Sequence, residues 1–112
     1  MALNRICLVA SDQFRELHLE NTVGDWKARG DHIVKITEGA TKKFKALTPP
    51  DELKDAAKQY NDAEDRFTAE IKNAVNAANA GDAAKFHAAL SKSDKANTDS
   101  NVAAQKIGAA DC

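Results

Sequence analysis

Residues 73–90 read NAVNAANAGDAAKFHAAL, and Gly81 with Asp82 at the centre of this stretch decides the fold. Glycine closes a helix in the left-handed conformation without a steric penalty, and an aspartate after it offers a side-chain oxygen to the free amides of the next helix. One helix stops here and another starts at once. Upstream, Leu53, Ala57, Tyr60, Ala63, Phe67, Ile71, Ala74 and Ala78 recur at three- and four-residue steps, a heptad-like stripe running unbroken to Ala80. Downstream, Phe86, Ala89, Leu90, Ser93, Ala96, Ala103 and Ile107 mark the inner face of the following helix until Gly108 ends the pattern. The two form a helical hairpin.

Working back toward the N-terminus, Thr48-Pro49-Pro50-Asp51-Glu52 is a strong helix start. Thr48 is placed to cap, proline suits a first turn, and the acidic pair favours the positive end of the helix dipole. Before it, Trp26, Ile33, Ile36, Ala40, Phe44 and Leu47 mark another helix, with Thr22 or Asp25 as the cap, Gly24 as the break before it, and Gly30 and Gly39 as mild interruptions. Leu3, Ile6, Cys7, Ala10, Phe14 and Leu17 mark the first helix, and no segment alternates with the period of a strand. Four amphipathic helices with short connections predict an all-α, antiparallel up-down-up-down four-helix bundle, one domain over residues 1–112, with the third and fourth helices longest. At about 1.5 Å per residue the last two helices reach roughly 40 to 45 Å against about 30 Å for the first, so residues 73–90 are expected to overhang as an Ala-rich tip.

Composition narrows the function classes. In 112 residues, 43% hydrophobic and 29% charged, 16 Lys+Arg stand against 17 Asp+Glu for a net charge of -1. A general nucleic-acid binder or a polybasic membrane-surface protein needs a cation surplus that neither half supplies. There is no run of about eighteen apolar residues to span a bilayer, and no charged-then-apolar leader. Charge does divide locally. Residues 24–47 hold six Lys/Arg and three Asp/Glu, whereas residues 51–80 hold four and seven, so adjacent helices carry +3 and -3 and complement each other along solvated faces.

The six aromatic residues, Phe14, Trp26, Phe44, Tyr60, Phe67 and Phe86, all fall on the inward stripes and read as core anchors. The last helix is unusual in carrying Ser93, Asn97 and Ser100 near its inner face. Such groups either sit at the margin of a narrow alanine seam or line a polar pocket inside the bundle, because buried polar groups need partners or a ligand. The histidines are His18, His32 and His87; counting rises puts the first two at similar heights on neighbouring helices and the third near the far tip. No HExxH, no Glu-x-x-His pair and no axial methionine accompany them, so no metal or haem site is assigned and no cofactor is expected. The serines lack a neighbouring His with an orienting acid, and no Gly-rich phosphate loop is present, so the chain reads as a non-enzyme.

Cys7 and Cys112 are the only cysteines. In an up-down-up-down bundle the start of the first helix and the end of the last lie at one end, within reach of the roughly 5 to 6 Å Cα separation a disulfide requires. The plainer alternative is a buried Cys7 beside an unrelated terminal Cys112. No CxxC is present for redox or zinc chemistry. A bond closing about a hundred residues is worth roughly 4 to 5 kcal/mol by loop entropy and belongs to an oxidising compartment.

Three parts of the chain together resemble a group of uncharacterised bacterial, chiefly actinobacterial, secreted or membrane-anchored small helical proteins: NRICLVASDQF at 4–14, LTPPDEL at 47–53 with NAANAGDAAKF at 76–86, and QKIGAADC at 105–112. Members of that group look like a leader or anchor followed by one helical domain with an early Ile-Cys, a Leu-x-Pro-Pro before a long helix, an Ala-Gly-Asp break and a Gly-x-x-Cys-like ending. The resemblance covers nearly the whole chain and implies Cys7 with Cys112 as a structural bridge, and Pro49, Pro50, Gly81 and Asp82 as helix boundaries; no activity comes with it. This sequence departs in lacking the leader and in having Ala109 where similar sequences more often have a larger apolar residue. The resulting expectation is an extracytoplasmic (secreted, periplasmic or cell-envelope) interaction or structural module with a protein partner. It includes a membrane tether through a preceding N-terminal segment, and a monomer or weak homodimer. The alternative is a carrier of a small ligand, haem or metal, using the bundle interior around His18, His32, Ser93 and Asn97.

Overall fold

Four helices follow one another in the computed structural model, which describes residues 2–109 and 112: α1 (Ala2–Glu16), α2 (Val23–Lys45), α3 (Lys54–Asn79) and α4 (Ala83–Ile107). Met1, Ala110 and Asp111 lie outside the described residues. Successive helices pack side by side in a bundle of 45 × 24 × 19 Å, most extensively between α3 and α4 and least between α1 and α2.

Local chemistry sets most boundaries where the sequence places them. Thr22 caps α2, its hydroxyl accepting from the Asp25 amide at 3.2 Å, while the Asp25 carboxylate accepts from the Glu20 amide at 2.9 Å. Asp82 caps α4 by accepting from the Lys85 amide at 3.0 Å. Gly81 and Gly108 hold φ of 70° and 88°, and each is followed by an amide that bonds back five residues, Asp82 to the Ala77 carbonyl and Ala109 to the Ala104 carbonyl. That pattern closes a helix and needs the left-handed residue. The start of α3 differs from expectation. Thr48 is not its cap: a 3-10 turn at Asp51–Leu53 precedes the helix, and the position before that turn is Pro50, which has no side-chain oxygen to offer. The residue before each proline is forced toward extended backbone, so Thr48 and Pro49 cannot enter the turn, and Thr48 sits too far upstream.

The interior divides into two apolar clusters. Toward the α3–α4 turn, Trp26, Ile33, Ile71, Ala74, Val75, Ala78, Phe86 and Ala89 are buried together, with Trp26 and Phe86 meeting edge to face at 5.6 Å. Toward the chain termini, Leu3, Cys7, Phe44, Tyr60, Ala103, Ala104 and Ala109 form the second cluster, with Phe44 on Tyr60 edge to face at 5.0 Å. Both pairs have the geometry in which a ring edge meets a ring face. The Trp26 indole nitrogen is buried without a hydrogen-bond partner among the described residues.

The expected overhang of residues 73–90 is not present. The inner face of that tip is covered by Trp26 and Ile33 of α2, with Leu17, Leu19 and Val23 packed against the same cluster. Although α1 is only 15 residues long, the non-helical stretch 17–22 adds reach of up to about 3.3 Å per residue. The Arg29 guanidinium donates to the Leu17 carbonyl and ties that stretch to α2. The 23 residues of α2 also come close to the 26 of α3 in length.

Between α2 and α3 the backbones approach closely at Gly30, where an added Cβ would lie 2.5 Å from a Val75 methyl. The complementary charges of these helices are realised as Lys45–Asp65 at 2.7 Å and, with the signs reversed, Lys72–Glu38 at 2.6 Å. Both pairs are half-exposed, so they specify which helices neighbour each other more than they stabilise them.

Candidate functional site

The two apolar clusters are separated by polar side chains that point inward. On α2, Thr37 and Thr41 are buried; Thr37 donates back to the Ile33 carbonyl at 2.9 Å, and Thr41 meets the Thr68 hydroxyl of α3 at 3.0 Å. On α4, Ser93 and Ser100 are buried, donating to the Leu90 and Asn97 carbonyls at 2.7 and 2.9 Å. A hydroxyl returned to its own helix backbone can be buried without an outside partner. On α3 the inward stripe carries Glu64, four residues beyond Tyr60 and three before Phe67.

A cavity of about 190 Å³ opens among these groups, lined by residues of all four helices. Phe14, Phe44, Phe67 and Tyr60 supply its aromatic wall, Glu64, Ser100, Asn97, Asn101 and Thr37 its polar groups, and Cys7 with Cys112 one end. That end is a disulfide, with Cα atoms 5.4 Å apart and the two cysteines 105 positions apart in sequence. It ties α1 to the chain beyond α4. Since a disulfide sulfur carries no proton, the Tyr60 hydroxyl is the donor in its 3.5 Å contact with Cys7 Sγ. The approach of Cys112 Sγ to the Leu3 carbonyl is likewise packing alone.

Electrostatics follow from the partial burial of these groups. Burial pushes the Tyr60 phenol well above its ordinary range, and the nearby Glu64 carboxylate pushes it further, so the phenol stays protonated and acts as a donor. Burial also raises the Glu64 carboxyl above its ordinary value; the Ser100 hydroxyl beside it opposes this in part and Asp65 adds to it. Ser100 has a single proton to give. When Glu64 is protonated, it can donate to Ser100, which donates to the Asn97 carbonyl, and every group in that chain has a partner. When Glu64 is charged, Ser100 must serve the carboxylate at the expense of the backbone carbonyl.

The residues named from the sequence are not gathered in one place. His18 is exposed at the end of α1, where its φ of 48° makes it the left-handed residue that terminates the helix. His32 is exposed on α2, lining a separate surface depression between α1 and α2 with Gln13, Lys35 and Lys43. Ser93 is buried with its hydroxyl turned back on α4, and of these four only Asn97, itself exposed, lines the cavity. Among the described residues no group of three or more His, Cys, Asp or Glu side chains is placed to hold a metal ion. Likewise no helix is long and apolar enough to cross a membrane. Sequence reasoning missed Glu64, Tyr60 and Asn101 as lining groups. The spacing Tyr60, Glu64, Phe67, Ile71 is the signal that could have found Glu64, because it puts a carboxylate on an otherwise apolar stripe.

A second, more apolar cleft of about 460 Å³ lies at the terminal end of the bundle, lined by Leu3, Phe44, Leu47, Pro49, Leu53 and Ile107 among others. Tyr60 borders both cavities. No family model, curated protein or solved structure matches this chain.

Proposed function

We propose that this chain is a non-enzymatic helical module that works outside the cytoplasm in a structural or protein-binding role. The observation that carries the reading is the Cys7–Cys112 disulfide, which closes nearly the whole chain. Bonds of this kind persist in oxidising compartments and are reduced in the cytosol. The resemblance of the Ile6-Cys7, Leu47-Thr48-Pro49-Pro50 and C-terminal segments to secreted or anchored actinobacterial proteins points the same way, as do Leu8 and Val9, neighbouring apolar side chains left exposed on α1. The test is the intact mass of unreduced protein, with and without alkylation, after production with and without export. The reading expects a mass lower by two hydrogens and no alkylation in exported material; two free thiols in natively folded, exported protein overturn it.

A second reading, a small-ligand carrier, is favoured by one observation, the interior cavity with its carboxylate and hydroxyls. Its volume lies below the roughly 300 Å³ at which drug-sized sites begin, so the cargo is a small molecule and not a macrocycle such as haem. Thermal shift against haem, divalent metals and small amines, alcohols and acids tests this reading, which expects stabilisation by one small-molecule class and fails if none shifts the melting temperature.

A further inference from the structure

We infer that the cavity lined by all four helices beside the disulfide is a binding site for a small organic ammonium ion, with Glu64 as its counter-charge and Phe14, Phe44, Phe67 and Tyr60 as its wall. The inference rests on the second reading above and names its ligand class.

None of the cavity's lining residues is Lys, Arg or His, and among the described residues Glu64 makes no ion pair. The bundle's ion pairs engage the carboxylates of Asp12, Glu38, Asp51, Asp62, Asp65 and Asp99 and pass Glu64 by. Glu64 is partly buried; a carboxylate partly withdrawn from water without a cation carries a cost, and that cost falls when a cation is brought to it. The position is therefore poorly suited to a purely structural role, in which glutamine or an aliphatic residue would fit the stripe better.

The remaining lining selects among cations. A metal ion would require several oxygen ligands, whereas Glu64 is the only carboxylate in the lining. Four aromatic side chains are suited instead to a cation that carries its own apolar surface, since ring faces attract positive charge and alkyl groups alike. Ser100, Asn97 and Asn101 add hydrogen-bonding capacity beside the carboxylate, which suits an ammonium bearing a hydroxyl or carbonyl. A volume of about 190 Å³ admits an ion the size of choline or a short alkylamine.

The experiment is calorimetric titration of the oxidised full chain with choline, with tetramethylammonium, and with 3,3-dimethyl-1-butanol, the neutral isostere of choline. The expected result is choline binding at least tenfold more tightly than its isostere, with the preference lost in Glu64→Gln. Equal affinity for choline and the isostere overturns the inference while leaving a carrier of neutral ligands standing. Retention of the full charge preference in Glu64→Gln overturns it too, by moving the cation elsewhere. No heat and no thermal shift with any of the three compounds or with the wider panel overturns both the inference and the carrier reading. The comparison of isosteres uses the natural chain, so it stands even if Glu64→Gln fails to fold.

Discussion

The α3–α4 hairpin and α1 are held to the molecule by different means. Along the hairpin the buried positions are mostly small, Ala63, Ala74, Ala77 and Ala78 on α3 facing Ala89, Ser93, Ala96, Ser100, Ala103 and Ala104 on α4. Small side chains bring backbones close, and dispersion then acts along the whole length of both helices. By contrast α1 buries only Leu3 and Cys7 fully, packs little against α2, and is joined by its disulfide to the chain beyond α4. A covalent bond supplies the attachment that packing does not. The loose attachment of α1 leaves the aromatic-walled cavity beneath it, while the hairpin carries a larger groove of about 420 Å³ along its own polar margin, lined by Glu70, Asn73, Asp82 and Lys85 among others.

The largest expected effect comes from removing that bond. Cys7→Ala, or reduction, should lower the unfolding free energy by up to about 4 to 5 kcal/mol, the loop-entropy value for closing roughly a hundred residues, as read from the shift of the urea midpoint. A loss under about 1 kcal/mol would break the comparison by showing that α1 is held by its packing.

Close packing can be tested at the α2–α3 crossing. Gly30→Ala forces a methyl group against Val75, and overpacking of this kind should cost about 1 to 3 kcal/mol. Val75→Ala in the same chain should recover much of the loss, giving a coupling in the double-mutant cycle; independent, additive effects would contradict the close approach.

A smaller effect is expected at Glu64, in the seam between the two regions. Its folded-state carboxyl is raised above the ordinary value of 4.5, so between those two values the native state holds the proton more firmly than the unfolded chain does. The charged form therefore costs stability at neutral pH, and that cost shrinks as pH falls below the raised folded-state value and is gone below the ordinary value of 4.5. Glu64→Gln should melt higher than the natural chain at pH 7, with the gap closing by about pH 4, where the carboxyl of the unfolded chain is mostly protonated as well. A gap that grows on acidification would contradict the sign.

The smallest effect concerns the exit from α1. His18 adopts a positive φ in an exposed turn, where glycine would relieve backbone strain but gain unfolded-state entropy. His18→Gly should stabilise by less than about 1 kcal/mol in thermal melts, since left-handed backbone costs an ordinary residue roughly that much. A destabilised variant would show that the imidazole makes a contact the fold depends on.

How far the sequence reveals these features depends on the range of the interaction. Gly81, Asp82, Gly108 and Thr22 act on amides and carbonyls a few residues away, so α2 and α4 start, and α3 and α4 stop, at places readable from the chain. Two neighbouring prolines displace Thr48 from its capping position, a conflict between local signals that only the backbone resolves. The overhang fails for a longer-range reason: the reach of a non-helical stretch such as 17–22 is not encoded in helical periodicity. Ser100 and Asn97 stand out as polar residues on an apolar stripe, and the structure puts both at the cavity. Glu64 stays hidden among the seven acidic residues of 51–80, because a charge on a helix ordinarily reads as solvated. His18 and His32 are attractive as chemistry, but a rotation about their helices decides their surroundings, and both face solvent.

Amide hydrogen exchange on the oxidised and reduced protein tests most directly whether α1 is held by its disulfide while α3 and α4 hold each other. Reduction should strip protection from α1 almost to the rate of free chain. The amides of α3 and α4 should slow exchange still, losing only what the drop in global stability takes from them. An equal fall in all four helices, or an α1 that keeps its protection after reduction, would contradict the account.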